Sequence, residues 1–543
     1  MTRTKSAITR RELLRGVGAV GATAAGAALL AACQPSGTGT TTPSATGAAA
    51  ATPRKGGTLA VAIAADPGSI VTYALAALPS YMVNAQVYDG LYYFDPPTKE
   101  LKPALAESWT VSPDGKQYTL KLRKGVKWHD GTDFTAEAVP INFERVRDPN
   151  SKYYDKVAAP FSNAFLGSAL SAEAVDPSTA RYNLKELNGD FLSLNIRSFI
   201  MNPATIKQYA PDEVGKHPSG TGPFKFVERG DNRIAFERND GYWNGPAYVD
   251  KLVMRVYPDA GAAAAALEAG DIDLITDAPL TTALRLQDKY KVLRWGSQFT
   301  YLFTYNTRHA ALKDVRVRQA LNYAVNREKI ASDLFKGQVT VARGVASPTY
   351  PSWNTSVPAY PFDQAKSKQL LSDAGFGSGL NIKAIQITGV ASFPLLAELA
   401  QTVQADLKNV GVNLTYDLMD LQAYTKAVAN GCPEDYAFYT TALGGITPSN
   451  LELVLGKRSF PPSGLNKGWY EDAQVERLFE SARGEIDPAK RNQLYTQADQ
   501  ILHDNPAALF TVIYGLQSVY SPKVTGVLDR LAWLDFSKTW IAQ

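Results

Sequence analysis

Apolar positions recur along the chain in two periods, one of two residues and one near 3.6. Their interleaving from Gly56 onward predicts alternating strands and helices. Residues 58–65 read as a strand. In residues 117–123, Tyr118, Leu120 and Leu122 alternate with Thr119, Lys121 and Arg123, the pattern of a strand with one buried face. Together with residues 108–111 they predict a hairpin turned at Pro113-Asp114-Gly115, and 224–228 with 234–237 predict a second, turned at Gly230-Asp231-Asn232. Farther on, the helical period dominates. Val317, Leu321 and Ala324 mark one face of a helix over 314–334, with Asp314 as its cap. Asp363 caps a helix over 363–374 that Gly375 ends in the left-handed conformation. Leu395, Leu399, Val403 and Leu407 form one stripe, stopped by Gly411 before a strand over 412–418. Helices over 472–483 and 488–503 then precede a strongly apolar strand over 509–514. This order argues for α/β or α+β domains, and no internal repeat is present.

The first fifty residues break the pattern. Thr9-Arg10-Arg11-Glu12-Leu13-Leu14 leads into an Ala/Gly-rich apolar run over 17–30 and then Leu30-Ala31-Ala32-Cys33. This is the layout of a secretory signal. The paired arginines resemble a twin-arginine export signal. Leu-Ala-Ala-Cys resembles the lipobox of bacterial lipoproteins, so residues 1–32 are expected to be removed and Cys33 to carry lipid. The run is too short and too Gly-interrupted to span a bilayer. Residues 33–54, rich in Gly, Ser, Thr, Ala and Pro, read as a flexible tether with a reach of roughly 25 Å. Gly16-Val17-Gly18-Ala19-Val20-Gly21 has dinucleotide-site spacing, but no acid lies between Glu12 and Asp66 to hold a ribose, so that reading is rejected.

The formal charge of +4 resides in that leader. Five of the 56 basic residues and one of the 52 acidic ones fall within 1–32, leaving 51 of each behind, and the case for a nucleic-acid partner goes with them. The length of 543 residues accommodates about three domains. With Cys33 acylated, Cys432 has no disulfide partner. His129, His217, His309 and His503 are scattered without metal-binding spacing, and there is no G-x-S-x-G. No metal, cofactor or hydrolytic activity is expected.

Many short stretches then occur in a telling order. They include Lys55-Gly56-Gly57-Thr58-Leu59, Val87-Tyr88-Asp89-Gly90-Leu91, Leu101 to Trp109, Leu122 to Gly131, Gly220-Thr221-Gly222-Pro223-Phe224, Gly270-Asp271-Ile272-Asp273, Asp314 to Leu321 and Leu370 to Phe376. In this order they resemble the family 5 extracellular solute-binding proteins, the oligopeptide, dipeptide and nickel receptors of bacterial ABC importers. The resemblance implies an α/β, two-lobed periplasmic-binding-protein type II (Venus flytrap) fold. Lobe I would comprise 55–95, 217–300 and 507–543, with a subdomain inserted at 96–216, and lobe II 301–506. The lobes would be joined by strands crossing at 298–306 and 507–514. It also implies a monomer, not an enzyme, that captures a peptide-like solute outside the cytoplasmic membrane and delivers it to the ABC permease's transmembrane subunits by hinge closure.

Cleft positions implied by the resemblance are Ile70 and Tyr73 after the first strand, and Tyr301, Phe303, Thr304 and Asn306 on the first crossing. Phe438, Tyr439, Thr441 and Leu443 belong to a loop over 438–443. In peptide-binding relatives that loop carries a tryptophan and an acid for the ligand's ammonium group, whereas Thr441 and Gly444 stand there in this chain. Asp417, Asp420 or Glu434 could substitute. A neutral ligand such as an oligosaccharide or small metabolite, and a peptide-sensing receptor, stay open beside peptide import, while the sparse histidines disfavour nickel. The remaining marks read as structural. Trp109, Trp128, Trp243 and His129 pack, Gly131 and 220–223 serve backbone geometry through positive φ, and the charges of 314–318 form a solvated helix start.

Overall fold

A single path of hydrogen-bonded strands runs through the body. In spatial order it comprises Val412–Met419, Leu380–Ile387, Phe438–Leu443, Lys291–Tyr305, Ala508–Tyr520, Leu274–Ile275, Thr58–Ile63, Lys251–Val256, Arg233–Arg238 and Phe224–Gly230. The structure, a computed structural model, describes residues 52–542 apart from 74–77, 160–161, 163–165, 389–394, 446 and 463. The predicted export segment, Cys33 and nearly all of the tether lie outside the described residues.

The two longest strands serve both ends of that path. Residues 291–295 pair antiparallel with 516–520, residues 299–304 pair with 508–514, and the register shifts between Trp295 and Phe299. Gly296, at φ 76°, occupies the break, a conformation that favours glycine. On one side of it the second strand carries Leu274–Ile275, which runs parallel to Thr58–Ile63. On the other side the first strand carries Phe438–Leu443, next to Leu380–Ile387. The architecture is two-lobed α/β, and these two strands are what the lobes share. Apolar side chains segregate accordingly. Leu59, Val61, Phe236 and Met254 belong to one core, and Phe303, Leu321, Leu399, Val403 and Phe438 to another. A separate core gathers Leu120, Trp128, Tyr182 and Phe191 beneath an antiparallel sheet ordered Ala106–Val111, Gln117–Leu122, Thr179–Leu184 and Ala169–Asp176.

Local expectations meet this frame in instructive ways. Asp314 and Asp363 accept from the backbone N–H of Arg316 and Lys366, each at 2.8 Å, and Gly375 and Gly411 adopt φ of 89° and 86°. The helix expected over 314–334 instead breaks after Val315–Ala324, with Val325 extended. The break turns Arg327 inward, where its Nε donates to the Phe510 carbonyl at 2.7 Å, while Asn322 bonds the backbone of Ala508 and Phe510. Three-dimensional bonding to the second crossing strand thus overrides local helix period. Arg318 departs likewise from a solvated helix start. It is 5% exposed and donates to the carbonyls of Pro506, Leu312 and Lys313. The segment 438–443 is a strand and not a loop, because six of its residues pair with the first crossing strand.

The family-like motifs converge on one buried carboxylate. Asp89 accepts from Thr221 Oγ1 at 2.8 Å, Tyr242 OH at 3.0 Å and Trp243 Nε1 at 2.8 Å. Burial nonetheless pushes its carboxyl up to about 6. Gly220 and Gly222 are required by close approach and not by positive φ. A Cβ on either would lie 2.1 Å from the Val87 carbonyl oxygen or 2.6 Å from its carbon. His129 completes the turn, its Nε2 lying 3.0 Å from the Gly222 carbonyl.

Arg145, 1% exposed on the helix Ala138–Arg147, pins the chain after the first strand. It pairs with Asp155 at 2.8 Å and donates to the Thr72 carbonyl and hydroxyl at 2.6 and 2.7 Å. Asp155 also accepts from the backbone of Val157 and Ala158. Replacing Arg145 with methionine strands that carboxylate and is expected to cost about 3–5 kcal/mol in denaturant unfolding.

Candidate functional site

Ligands of open α/β sheets meet the carboxyl ends of the strands. A cavity of about 160 Å³ lies there in this chain. Its wall takes Ile63 and Ala64 from the end of Thr58–Ile63, Tyr257 from beyond Lys251–Val256, Asp277 from beyond Leu274–Ile275, and Tyr514 and Leu516 from the second crossing strand. Burial pushes the Asp277 carboxyl up to about 6.

A larger cavity, about 580 Å³, is bordered by different parts of the chain on its two sides. Phe94, Lys99, Trp109, Tyr118 and Asp190 form one wall, and Pro351, Pro448, Ile486 and Arg491 the other. The volume suits a small peptide or comparable solute, and the mixture of aromatic surface with a few polar groups is that of a binding site. At its edge the walls touch. Arg491 Nε donates to Asp190 Oδ1 at 3.0 Å with both side chains under a tenth exposed, and the Lys99 ammonium lies over the Trp353 ring at 5.3 Å. An open groove of about 680 Å³ over Arg308 and Trp469 has walls from the second lobe alone, so lobe closure would not enclose a ligand there.

The turn after Phe438–Leu443 contacts residues adjoining each cavity's wall. The Gly444 carbonyl accepts from Tyr350 OH and Asn450 Nδ2, each at 3.0 Å, while Tyr350 precedes Pro351 of the larger cavity. On the opposite side the Phe299 ring lies against Gly444, and Phe299 is the ladder partner of Tyr514 in the smaller cavity. A Cβ on Gly444 would come within 2.3 Å of that ring. The acid that the family resemblance would lead one to expect here therefore meets the Phe299 ring.

The sequence-predicted residues divide. Tyr301 stacks on Tyr514 with ring centroids 6.2 Å apart, which brings it to the hinge side of the smaller cavity. Thr441 is partly exposed on its strand. Phe303 and Phe438 pack edge-on at 5.6 Å in the second lobe's core, Thr304 is buried, and Tyr439 and Leu443 enter neighbouring clusters. Asn306 donates to the carbonyls of Pro433 and Tyr436, at 2.9 and 3.0 Å, and so orders a turn. Ile70 lies in the first lobe's core, its carbonyl accepting from Tyr88 OH, and Tyr73 in the inserted sheet's core at φ 66°. Of the three substitute acids, Asp417 accepts from Tyr436 OH, Asp420 caps Leu421–Ala427, and Glu434 is exposed. None borders either cavity.

Lys99, Asp277, Arg491 and Tyr514 border the cavities without any functional reading in the sequence, and Trp109, read there as a packing residue, lines the larger one. Their signals were faint. Asp277 is an acid just past a strand, and Tyr514 ends a predicted crossing, but only the register of the paired strands turns both toward one space. Cys432 is buried, and burial pushes its thiol up to about 12, leaving it unreactive. Among the described residues no cluster of three His, Cys, Asp or Glu side chains is arranged to hold a metal.

Residues 100–456 match the model of the bacterial extracellular solute-binding proteins, family 5 Middle. The chain is 32% identical to heme-binding protein A of Haemophilus influenzae over 82% of its own length and 85% of that protein's. It is also 32% identical to the dipeptide-binding protein of Escherichia coli, over 81% and 85%. Among solved structures, HbpA2 from Haemophilus parasuis superimposes with a TM-score of 0.82 at 27% identity, covering 90% of this chain and all of that one.

The turn generates a direct test. Gly444→Asp, introduced to recreate the relatives' acid, is expected to collide with Phe299 and lower stability by about 1–3 kcal/mol in chemical denaturation. Combining it with Phe299→Ala should recover part of that collision cost beyond what the separate effects add to.

Proposed function

The chain belongs to family 5 of the bacterial extracellular solute-binding proteins, and from that premise we propose that it captures a peptide-like solute outside the cytoplasmic membrane and passes it to an ABC permease. The observation that carries this reading is the 580 Å³ cavity with walls on both sides of a hinge made of two strands. A ligand that touches both walls gains contacts only when they approach, so it favours the closed arrangement by its differential affinity. The closed arrangement then presents the surface that a permease recognises. Dipeptide- and heme-binding relatives at equal identity support a small organic solute and leave its class to the cavity walls.

Binding without catalysis is the economical chemistry for this site. Among the described residues, His129 binds the Gly222 turn, His217 stacks on Tyr209 at 3.8 Å, His309 accepts from Ala311 N–H and His503 contacts Asp504. None hydrogen-bonds a serine, threonine or cysteine side chain. The family's role as solute-binding proteins supports reading the chain as a binder rather than a catalyst. The leader sequence supports export through the twin-arginine route and acylation at Cys33, which would hold the body within a tether's reach of the membrane.

Two measurements test the reading. In a thermal-shift screen over di- and tripeptides, heme and oligosaccharides, at least one class is expected to raise Tm and to reduce the radius of gyration in solution scattering. An unresponsive protein in both assays would sink capture by closure. Separately, Cys33→Ser is expected to move the protein from the membrane fraction to the soluble fraction of the native host, and retention at the membrane would refute the lipid anchor.

A further inference from the structure

The cavity at the carboxyl ends of the first lobe's strands holds a charge with no counter-charge. Apart from Asp277, its wall is made of apolar residues, Thr282 and the two tyrosines, Tyr257 and Tyr514. Among the described residues, no lysine, arginine or histidine forms an ion pair with Asp277 or contributes to its electrostatic environment. Alanines at 62, 64, 260, 263 and 278 leave the space between these groups open. A carboxylate in a poorly solvated hollow is destabilised until a cation enters, and two tyrosines in the wall supply aromatic surface that attracts the same sign of charge.

We propose that Asp277 is the anchor for a cationic group of the captured solute, an ammonium or guanidinium, which enters the hollow flanked by Tyr257 and Tyr514. The proposal rests on the capture reading above and gives it a ligand chemistry. A side chain at Gly444 would meet the Phe299 ring, and the acids Asp417, Asp420 and Glu434 border neither cavity. Asp277 sits on the other lobe, and its partner in the hollow, Tyr514, lies on the second crossing strand opposite Phe299. Filling the hollow therefore loads the strand about which the lobes move.

The test uses calorimetry on the purified protein and its Asp277→Asn variant, which keeps side-chain shape and removes the charge. Trialanine, N-acetyl-trialanine, arginine and putrescine are the probes. Because a poorly solvated charge is lost, the variant is expected to fold with a Tm no lower than wild type without ligand. Wild type is expected to bind at least one cationic probe. Removing the charge from either partner, by Asp277→Asn or by acetylating trialanine where trialanine is the binder, should weaken binding by at least about 30-fold. Undiminished affinity of Asp277→Asn for the cationic probe overturns the proposal, as does a wild type that binds none of the cations. The two readings fail separately. Contraction around a neutral oligosaccharide with indifference to cations removes the role of Asp277 and leaves capture by closure standing. Asp277-dependent cation binding without contraction does the reverse.

Discussion

Everything in this molecule depends on two antiparallel strands that must satisfy two sheets at once. Lys291–Tyr305 and Ala508–Tyr520 hydrogen-bond to each other on both sides of a register break, and each half joins a different lobe, through Leu274–Ile275 on one side and Phe438–Leu443 on the other. Pairing is most complete around 300–304, whose backbone groups are bonded on both edges. A break with glycine in a left-handed conformation is where such a pair bends at least cost. The two lobes are therefore held by separate ladders, and the register break with Gly296 lies between them.

The buried polar groups serve that division. Arg318, Asn322 and Arg327 spend their donors on the backbone from Leu312 to Val325 and at the start of the second crossing strand. Arg145 does the same for the segment after the first strand. Asp89 collects a threonine, a tyrosine and a tryptophan at the Gly220–Gly222 turn. Each is expensive to bury and each has specific partners, so each selects one arrangement of its segment over the alternatives. Asp277 stands apart from this group. Its environment desolvates it without pairing it, and that contrast within a single chain distinguishes a residue that holds the fold from one available to a ligand.

Much of this was legible in the linear chain. The caps at Asp314 and Asp363, the glycine stops at 375 and 411 and both hairpins were visible because each is decided within a few residues by local sterics and hydrogen bonding. The family was visible too, and its marks at 87–91 and 220–224 meet in one buried cluster around Asp89. The cleft was less visible. Phe303, Phe438 and Leu443 stand on the strands that form the hinge region, but alternation along a strand says only that successive side chains oppose each other, not which side faces a core.

By itself, then, the sequence determined the alternating elements, their stops, the export-like leader and the family. All of these depend on short-range periodicity or on motifs whose members are close in the chain. Tertiary structure alone decided that a predicted helix breaks to deliver Arg327 to Phe510, that 438–443 pairs as a strand, that Gly444 has no space for an acid, and that Asp277 and Tyr514 share a hollow. These pairs are separated by up to 237 residues in the chain, and their meeting is set by the register of the crossing strands. A one-residue slip in that register would turn each side chain to the opposite face, and no local pattern records which register is adopted.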